Sequence, residues 1–569
     1  MSLTKTLYFI CISLIFGMAV YITYFIYSGF NKGFECSDES YYNIVSHDAL
    51  NKHAFASNYG AVNETFTLSD ADWVSMRIYK WAFQLISLLV FCFSLASYVF
   101  KKMEVESVKV WLLILTVFIA GWINYDYLPP GLSYNSWSLN CTFLLCSAFL
   151  IESTSKRQKQ AVLAGLLHGS VFVILLSVKF PNAIFALLLY LVYKCFFWRK
   201  YFASSLLSFL FAGLLICPLI FGSYINAMKG IADVLTESYG VKHTGLSVYA
   251  DQFIDYLKNG VGYLFIIIQA SVLVLNIFLP LNFTRPITYL TIIYNFVFLF
   301  FMGRGNSYSV YNDYTFFLVF FISAFLIYRT EKKFDLDLKF RPSGKFILVV
   351  FLLIPFLMAA GTNNSIFYTA AQFGAFYVAL AGLMLLKITK ENGAITLAIS
   401  GLLFSFLLLT NIRQGYLLTP YRQTPLDEKN LPMIFSQKLA TVYESKERFV
   451  FFAELSARIK KCNPVGYPIT SSFSYVGASL LADLPVLKCF WLPDPGYGLE
   501  KVRQHFQFCR FPSFNKMLIF SQKELNFPGY KDLLSTAGMN IDKDFSKCDS
   551  VYCKYNQEYV YLYLSKVNK

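Results

Sequence analysis

The sequence predicts an α-helical polytopic membrane protein of about thirteen spans with an extracytoplasmic α/β domain at its C-terminal end. Of 569 residues, 56% are hydrophobic and only 15% are charged, whereas soluble chains carry charge on about 25% of residues. The apolar residues also fall into blocks close to the ~20 residues that cross a bilayer as a helix. This pattern stops near residue 411, beyond which charge, proline and glycine become more frequent.

The first apolar block, at 5–28, is predicted to be a retained helix. It is too long for the apolar part of a signal peptide, and no small-residue cleavage site follows it. Later spans are predicted at 79–100, 109–127, 136–152, 161–178, 183–198, 202–222, 261–281, 287–302, 314–329, 345–360, 371–387 and 394–411.

Alternate loops between these blocks are basic, for example KKMEVESVK after Phe100 and STSKRQKQ after Glu152. The positive-inside rule places these loops in the cytoplasm and the others, including 29–78, outside. An odd number of spans then places the C-terminal segment outside as well. The basic loops account for the net charge of +15, and no basic stripe interleaved with aromatic residues indicates a nucleic-acid partner.

The segment 412–569 is predicted to be a separate α/β domain. KMLIFSQ and EYVYLYLSKV alternate as strands do, and ERFVFFAELSARIKK has the spacing of an amphipathic helix. Its length of about 158 residues is sufficient for a core of its own.

Half of the twelve cysteines lie in predicted outer segments: Cys36, Cys462, Cys489, Cys509, Cys548 and Cys553. An even number of cysteines in an oxidising compartment predicts disulfides. Their short separation makes Cys548–Cys553 the expected local pair, and a bridge from Cys36 to the C-terminal domain is a further alternative. A metal site is disfavoured because no paired C-x-x-C motif occurs.

Ionisable residues gather at the predicted outer interface, whereas transporters place them within the spans. Asp38 and Glu39 open the first outer loop, where a carboxylate could take a proton from an acceptor hydroxyl or amine. The structural alternative is that they cap a helix beginning near Ser40. Asp126 could be a second acid, or an ordinary interfacial residue beside a Pro-Pro turn.

Three outer cations or histidines are candidate substrate ligands. Lys179 in SVKFPN could bind a phosphate, and its structural alternative is a lysine that extends to the membrane interface. Arg304 in MGRGNSYS could pair with a phosphate bidentately, or could be a plain loop arginine. His243 in ESYGVKHTGLS is a further candidate for substrate contact.

The order of these parts resembles the GT-C membrane glycosyltransferases. The resemblance is carried by the D-E-x-Y-Y segment after the first helix, by Asp126 in the second outer loop and by the K-x-P segment at 179–181. It is similar to the bacterial aminoarabinose transferases and to relatives of the protein O-mannosyltransferases. The W-W-D tripeptide of oligosaccharyltransferase catalytic subunits is absent, which argues against en bloc transfer to asparagine.

The resemblance implies inverting transfer of a sugar from a polyprenyl-phosphate donor to a lipid, glycan or protein acceptor. The composition favours a bacterial inner membrane, with the site facing the periplasm. A divalent cation, Mg or Mn, could be held by two acids, or the acids could work alone. The roles that the resemblance implies are base for Asp38 with Glu39 supporting it, second acid for Asp126, interfacial substrate contact for Tyr41 and Tyr42, and phosphate binding for Lys179 and Arg304.

Other classes stay open at this point. A polysaccharide polymerase or ligase would carry its key arginines and histidine in a large late outer loop, whereas the loop at 303–313 is short. A lipid-linked glycan transporter or flippase would carry ionisable groups within its spans and an inverted repeat. A non-catalytic membrane scaffold is the remaining alternative.

Overall fold

The computed structural model describes most of the chain outside the region 239–341. The described residues are 3–47, 57–68, 72–103, 105–126, 128–197, 201–238, 342–360, 366–386, 391–418, 426–492, 516–522, 534–535 and 540–566, with single residues and short groups between 251 and 322. The predicted spans at 261–281, 287–302 and 314–329 lie largely outside these residues, and His243 and Arg304 lie wholly outside them.

The N-terminal part is helical. A 3₁₀ turn, Ile123–Asp126, follows the fifth helix, and a π-helical turn, Tyr193–Phe197, follows the eighth. The helices are α1 (Leu3–Ser28), α2 (Asp38–His47), α3 (Tyr59–Phe66), α4 (Trp73–Lys102), α5 (Ser107–Ala120), α6 (Tyr134–Ser153), α7 (Gln158–Val178), α8 (Phe180–Val192), α9 (Phe202–Phe221) and α10 (Tyr224–Ser238).

Four further helices precede the C-terminal region: α11 (Pro342–Ala359), α12 (Ile366–Ala371), α13 (Gly374–Leu386) and α14 (Glu391–Leu418). Within the described part of the chain, six helices are long and apolar enough to cross a membrane: Thr6–Ser28, Trp73–Lys102, Ser107–Tyr125, Gln158–Val178, Phe180–Phe197 and Phe202–Phe221. The helical, multi-span character predicted from the sequence is confirmed. The count of thirteen spans stays a prediction.

Two glycines of α7 bring it into close contact with α9. A Cβ atom at Gly165 would collide with the backbone oxygen of Ser205, and one at Gly169 with the backbone oxygen of Phe209. Small residues four apart are typical of helix pairs in membranes, where close backbone approach replaces the hydrophobic effect as the source of attraction.

The C-terminal region contains a mixed sheet. Its elements are β1 (Leu431–Pro432), β2 (Tyr443–Glu444), α15 (Lys446–Cys462), β3 (Ile469–Ser472), α16 (Ala478–Leu481), β4 (Val486–Leu492), β5 (Met517–Ser521), α17 (Ile541–Asp544), β6 (Phe545–Cys553) and β7 (Glu558–Ser565). Five of the strands form the sheet in the order β4-β3-β5-β7-β6, with β3 parallel to β4 and β5, and β7 antiparallel to β5 and β6. The helix and the two strands predicted from this segment are confirmed. The boundary at 411/412 stays a prediction.

A disulfide joins α15 to β6. It links Cys462, the last residue of the helix, to Cys548, over a Cα–Cα distance of 5.9 Å. The expected pairing of Cys548 with Cys553 is therefore wrong. Cys553 ends β6 as a buried free thiol, because strand pairing carries the two cysteines along one extended segment and α15 supplies the nearer partner.

The C-terminal region packs on the first outer loop. The backbone N–H of Gly33 donates to the Tyr443 oxygen at 2.8 Å, and the Tyr443 N–H donates to the Asn31 oxygen at 2.7 Å. Glu444 accepts from the Phe34 N–H at 2.9 Å, and Arg448 donates to the Phe34 oxygen at 2.8 Å. The loop that carries the predicted acids is thus held on one side by the membrane helices and on the other by the C-terminal region.

Candidate functional site

Glu35 determines where α2 begins. Its Oε1 accepts from the Ser37 N–H at 2.8 Å and its Oε2 from the Glu39 N–H at 2.6 Å, while the Ser40 hydroxyl donates to its backbone oxygen at 2.5 Å. These bonds satisfy N–H groups that a helix start leaves without intrahelical partners. Glu35 therefore caps the helix, which begins at Asp38, two residues before the start expected near Ser40, and has Asp38 and Glu39 in its first turn.

Glu39 forms a buried ion pair with Arg77. Nε and Nη2 of the guanidinium each donate to one carboxylate oxygen at 2.7 Å, and the two side chains are 3% and 1% exposed. The remaining donors of Arg77 reach backbone oxygens, including those of Phe30 and Gly33, both at 2.7 Å. Glu39 thus joins α2, the end of α1 and α4, which fits a supporting role beside Asp38.

Asp38 lies at the first position of α2 and is half-buried. Burial and then the negative charge of Asp38 raise the pKa of Glu35 from 4.5 to about 7. Burial, the neighbouring tyrosines and Asp38 likewise raise the pKa of Tyr59 in α3. The Asp38 carboxylate therefore acts on Glu35 and Tyr59 as a neighbouring negative charge.

An aromatic cluster lines the inner side of α2. The ring of Tyr41 lies 6.4 Å from that of Tyr59, and the ring of Tyr42 lies 5.8 Å from that of Tyr134 on α6. The Trp491 ring of β4 approaches Tyr41 edge-on at 5.7 Å. Tyr41 and Tyr42 are buried, so they pack between neighbouring helices and the C-terminal region.

The second outer loop lies directly against Glu39. Asp126 ends a 3₁₀ turn, and its side chain is outside the described part of the structure. Five residues later, a Cβ atom on Gly131 would lie only 3.0 Å from Oε1 of Glu39. The structure thus brings the loop that follows Asp126 against Glu39, and it does not describe the Asp126 carboxylate.

Lys80 is a buried cation beside the loop that follows Asp126. The sequence interpretation missed this residue. It lies three residues, about one helical turn, after Arg77 on α4. Its Nζ donates to the Pro129 oxygen at 2.6 Å and lies 4.3 Å from the centre of the Tyr125 ring. The side chain is fully buried, between the outward end of α4 and the loop that follows Asp126.

Lys179 joins α7 to α8 and points inward. Its Nζ donates to the Met358 oxygen on α11 at 3.0 Å, and the Asn182 amide donates to the same oxygen at 3.0 Å. The Ser177 oxygen accepts from the Asn58 N–H at 2.7 Å. Lys179 is 4% exposed, so it does not extend along the membrane surface, and its segment contacts the start of α3.

Arg77 and Lys80 had a signal in the sequence. Both interrupt the first turns of a 30-residue apolar helix, and ionisable groups inside such a helix are costly unless they have a partner or a function. Glu35 had a weaker signal, as one of three acids within five positions. Its role as a cap depends on backbone geometry that composition does not reveal.

No group of three or more His, Cys, Asp or Glu side chains with the geometry of a metal site occurs among the described residues. Both oxygens of Glu39 accept from Arg77, and both oxygens of Glu35 accept from backbone N–H groups. These two carboxylates therefore do not fit a divalent cation. The possible role of Mg or Mn stays a prediction that rests on Asp38 and Asp126.

No family model matches the sequence, and no curated protein matches it. Among solved structures, the chain is similar to ArnT from Cupriavidus metallidurans bound to undecaprenyl phosphate, with a TM-score of 0.48 and 8% identity over 96% of this chain and 97% of that chain. It is also similar to ArnT from the same organism in the apo state, with a TM-score of 0.43 and 9% identity over the same shares. ArnT is an aminoarabinose transferase, the group that the sequence resembles. Both TM-scores lie below 0.5, so the function proposed for this chain is based on its own residues.

Proposed function

We propose that this chain is a membrane glycosyltransferase that transfers a sugar from a polyprenyl-phosphate donor to an acceptor at the outer membrane face, with inversion. The observation that carries this proposal is the position of Asp38. Asp38 is the first residue of α2 and is half-buried. The carboxylate of the next residue, Glu39, is paired with Arg77. A second outer loop and the C-terminal region cover the same helix.

Asp38 would act as the base. A base must be ionised and within reach of the proton that it accepts. Burial and Asp38 raise the pKa of Glu35 to about 7, so Glu35 holds its proton more readily, as expected for two acids that repel each other. Asp38 would then take the proton of an acceptor hydroxyl or amine while that atom attacks the anomeric carbon.

Two buried cations, Lys80 and Lys179, would stabilise the leaving group. When the bond between the anomeric carbon and the phosphate oxygen breaks, negative charge develops on the polyprenyl phosphate, and fixed cations in a water-poor site stabilise that charge. Lys80 lies near the N-terminal end of α4 and Lys179 directly follows the last residue of α7. Arg304, outside the described residues, keeps its predicted role. One displacement by the acceptor inverts the anomeric centre.

The finer features of the proposal are those predicted from the sequence. Residues 1–411 would form a catalytic module of about thirteen spans, and 412–569 an extracytoplasmic domain. The protein would lie in a bacterial inner membrane with its site towards the periplasm. The acceptor would be a lipid, glycan or protein.

The test is transfer from a panel of radiolabelled polyprenyl-phosphate sugars by membranes that contain the wild type or Asp38→Asn. We expect the wild type to transfer sugar from at least one donor. We expect the variant to lose roughly 10²–10⁴-fold of that rate, the usual contribution of a general base. Asp72→Asn is the matched control, because Asp72 is an exposed acid that caps α4 through the Ser75 N–H at 2.8 Å.

Three results would count against parts of the proposal. Unchanged transfer by a folded Asp38→Asn variant would keep the reaction and remove Asp38 from it. An equal loss in Asp72→Asn would show a general effect of charge in the outer loops. No transfer by the wild type from any donor, together with intact lipid flipping, would favour the transporter. Addition of a chelator to the same assay tests the predicted divalent cation.

A further inference from the structure

Of the four outer cysteines outside the Cys462–Cys548 disulfide, the structure describes the side chains of two, Cys36 and Cys553. Cys36 lies in the first outer loop and Cys553 at the end of β6, and both are buried, with exposed fractions of 9% and 0%. Both are free thiols in the structure. The existing disulfide indicates that this side of the chain meets an oxidising compartment, where a pair of neighbouring thiols does not stay reduced by default.

One chain of contacts places the two cysteines on opposite sides of the same short segment. The Gly477 N–H donates to the Cys36 oxygen at 2.8 Å. Two residues before Gly477, the Tyr475 hydroxyl donates to Glu558 at 2.7 Å. Glu558 is the residue that pairs with Cys553 across the β6–β7 hairpin.

A second and independent chain of contacts leads to the same pair. The oxygen of Phe34, two residues before Cys36, accepts from Arg448 at 2.8 Å. The guanidinium of Arg448 also lies 5.6 Å from the ring of Tyr555, two residues after Cys553. Burial, chiefly, and also Glu35 and the Cys553 thiol raise the pKa of the Cys36 thiol, in agreement with these two chains of contacts.

We propose that Cys36 and Cys553 form a second disulfide, which joins the first outer loop to the last hairpin of the C-terminal region. A thiolate of one cysteine would attack the disulfide of an oxidised dithiol protein in that compartment and form a mixed disulfide. The second cysteine would then attack the mixed disulfide. The S–S bond of the oxidant breaks and the Cys36–Cys553 bond forms. The oxidant gains two electrons, and the two protons from the cysteines leave it as a dithiol.

The burial of both thiols fixes when this reaction occurs. Exchange requires a thiolate that an oxidant can reach, and both sulfur atoms are covered once the C-terminal region is docked. The cross-link therefore forms while that region docks on the first outer loop. It would hold the turn that contains Glu35 and the start of α2 against the β6–β7 hairpin, whichever reaction the chain catalyses.

Peptide mapping of the full-length protein, isolated from membranes without reductant, tests the proposal. The protein is alkylated in denaturant to block free thiols and is then digested with trypsin. Cys36 lies in tryptic peptide 33–52, Cys462 in 462–488, and both Cys548 and Cys553 in 548–554. We expect one assembly of all three peptides, which dissolves on reduction, because 548–554 would carry both disulfides.

Most alternative pairings give a different mass, and the swapped pairing of Cys36 with Cys548 and Cys462 with Cys553, which gives the same mass, would leave Cys462 and not Cys36 alkylated in Cys553→Ser. Peptides 462–488 and 548–554 joined as a pair, with alkylated Cys553 and alkylated 33–52, would overturn the proposal. Attachment of 489–501 or 504–510, which carry Cys489 and Cys509, to 548–554 in place of 33–52 would overturn it as well. In Cys553→Ser, we expect Cys36 to become alkylated, whereas Cys92→Ser, a buried cysteine of α4, should leave the three-peptide assembly intact.

Discussion

The role of the second acid in the first outer loop can be tested at the level of single residues. Glu39→Gln leaves the charged Arg77 guanidinium buried against a neutral amide, which offers it one oxygen where the carboxylate offers two. Removal of one partner from a buried ion pair costs about 3–5 kcal/mol, so we expect a lower midpoint of thermal unfolding in detergent. Arg77→Gln should lower it similarly, and the double variant should lose less than the sum, since the two residues are in contact.

A catalytic role for Glu39 would give a different pattern. Sugar transfer would fall in Glu39→Gln while the unfolding midpoint stayed at the wild-type value. Glu428→Gln is a suitable control for both variants, because Glu428 is an exposed acid in the C-terminal region.

Glu35 should make the stability depend on pH. Its pKa is raised from 4.5 to about 7 in the folded chain by burial and by Asp38. Between these values the folded chain binds more protons than the unfolded chain, so the free energy of unfolding falls as the pH rises through this window. As the pH rises from about 4.5 to about 7, we expect the midpoint temperature of unfolding of the wild type to fall relative to that of Glu35→Gln. Parallel curves for the two proteins would contradict this prediction.

The sequence points to the region around α2 but not to all of the polar residues that the structure brings together there. Asp38 and Lys179 are conspicuous because they break an apolar pattern at a predicted interface. Arg77 is missed because the fourth helix begins at Trp73 and not near residue 79, and Lys80 because it is the second residue of the predicted span 79–100, where a lysine looks like an ordinary interfacial residue. Residues 73–78 carry charge in the first turns of the helix, and a hydropathy pattern assigns such turns to a loop.

At the level of elements, the contact between α7 and α9 depends on glycine. Gly169→Ala would place a methyl group against the backbone oxygen of Phe209, and a backbone atom cannot move aside as a flexible side chain can. We expect a clear drop in the unfolding midpoint of the detergent-solubilised protein. Gly213→Ala on α9 is the matched control, because its Cβ would lie an ordinary 3.7 Å from Val173.

An equal response of the two alanine variants would contradict close packing at Gly169. The cause would then be the general effect of alanine in a membrane helix, which is expected to be small because alanine favours helix more than glycine does. A larger side chain at the same place, Gly169→Leu, should have a stronger effect than alanine.

Long apolar elements were predictable from the sequence and short polar ones were not. The predicted blocks 5–28 and 161–178 correspond to the helices Leu3–Ser28 and Gln158–Val178. The short helix α3 was not predicted, and α2 only as an alternative with its start near Ser40, because eight to ten residues of mixed polarity give little periodic signal. The disulfide partner of Cys548 was missed for a related reason: spacing along the chain does not show which helix packs on a strand.

At the level of the whole molecule, the contacts that enclose the site join the two ends of the chain. Glu444 and Phe34 are 410 positions apart, and Arg448 and Phe34 are 414 apart. A single sequence contains no signal for such a pairing, since each partner looks like an ordinary polar or aromatic residue in its own neighbourhood. The C-terminal region therefore completes the first outer loop in a way that composition and periodicity could not predict.

A further contact between the two ends of the chain determines the expected topology. The Tyr416 hydroxyl near the end of α14 donates to the Ile26 oxygen near the end of α1 at 2.6 Å, so both helices end on the side of the C-terminal region. At about 1.5 Å per residue, a helix as long as α1 crosses a hydrocarbon core of about 30 Å. We therefore expect the N-terminus and the C-terminal region to lie on opposite sides of the membrane, in agreement with the basic loops that favour a cytoplasmic N-terminus.

Reporter fusions in a bacterial host test this topology directly. Alkaline phosphatase, which matures only in an oxidising compartment, should be active when fused after residue 569 and inactive when fused after Met103, in the basic loop that follows α4. A fluorescent protein that matures in the cytoplasm should give the reverse result at these two positions and should fluoresce at the N-terminus. Phosphatase activity after Met103 would invert the topology and place Asp38 in the cytoplasm. There nucleotide sugars are available, and the physical reason for a lipid-linked donor would no longer hold.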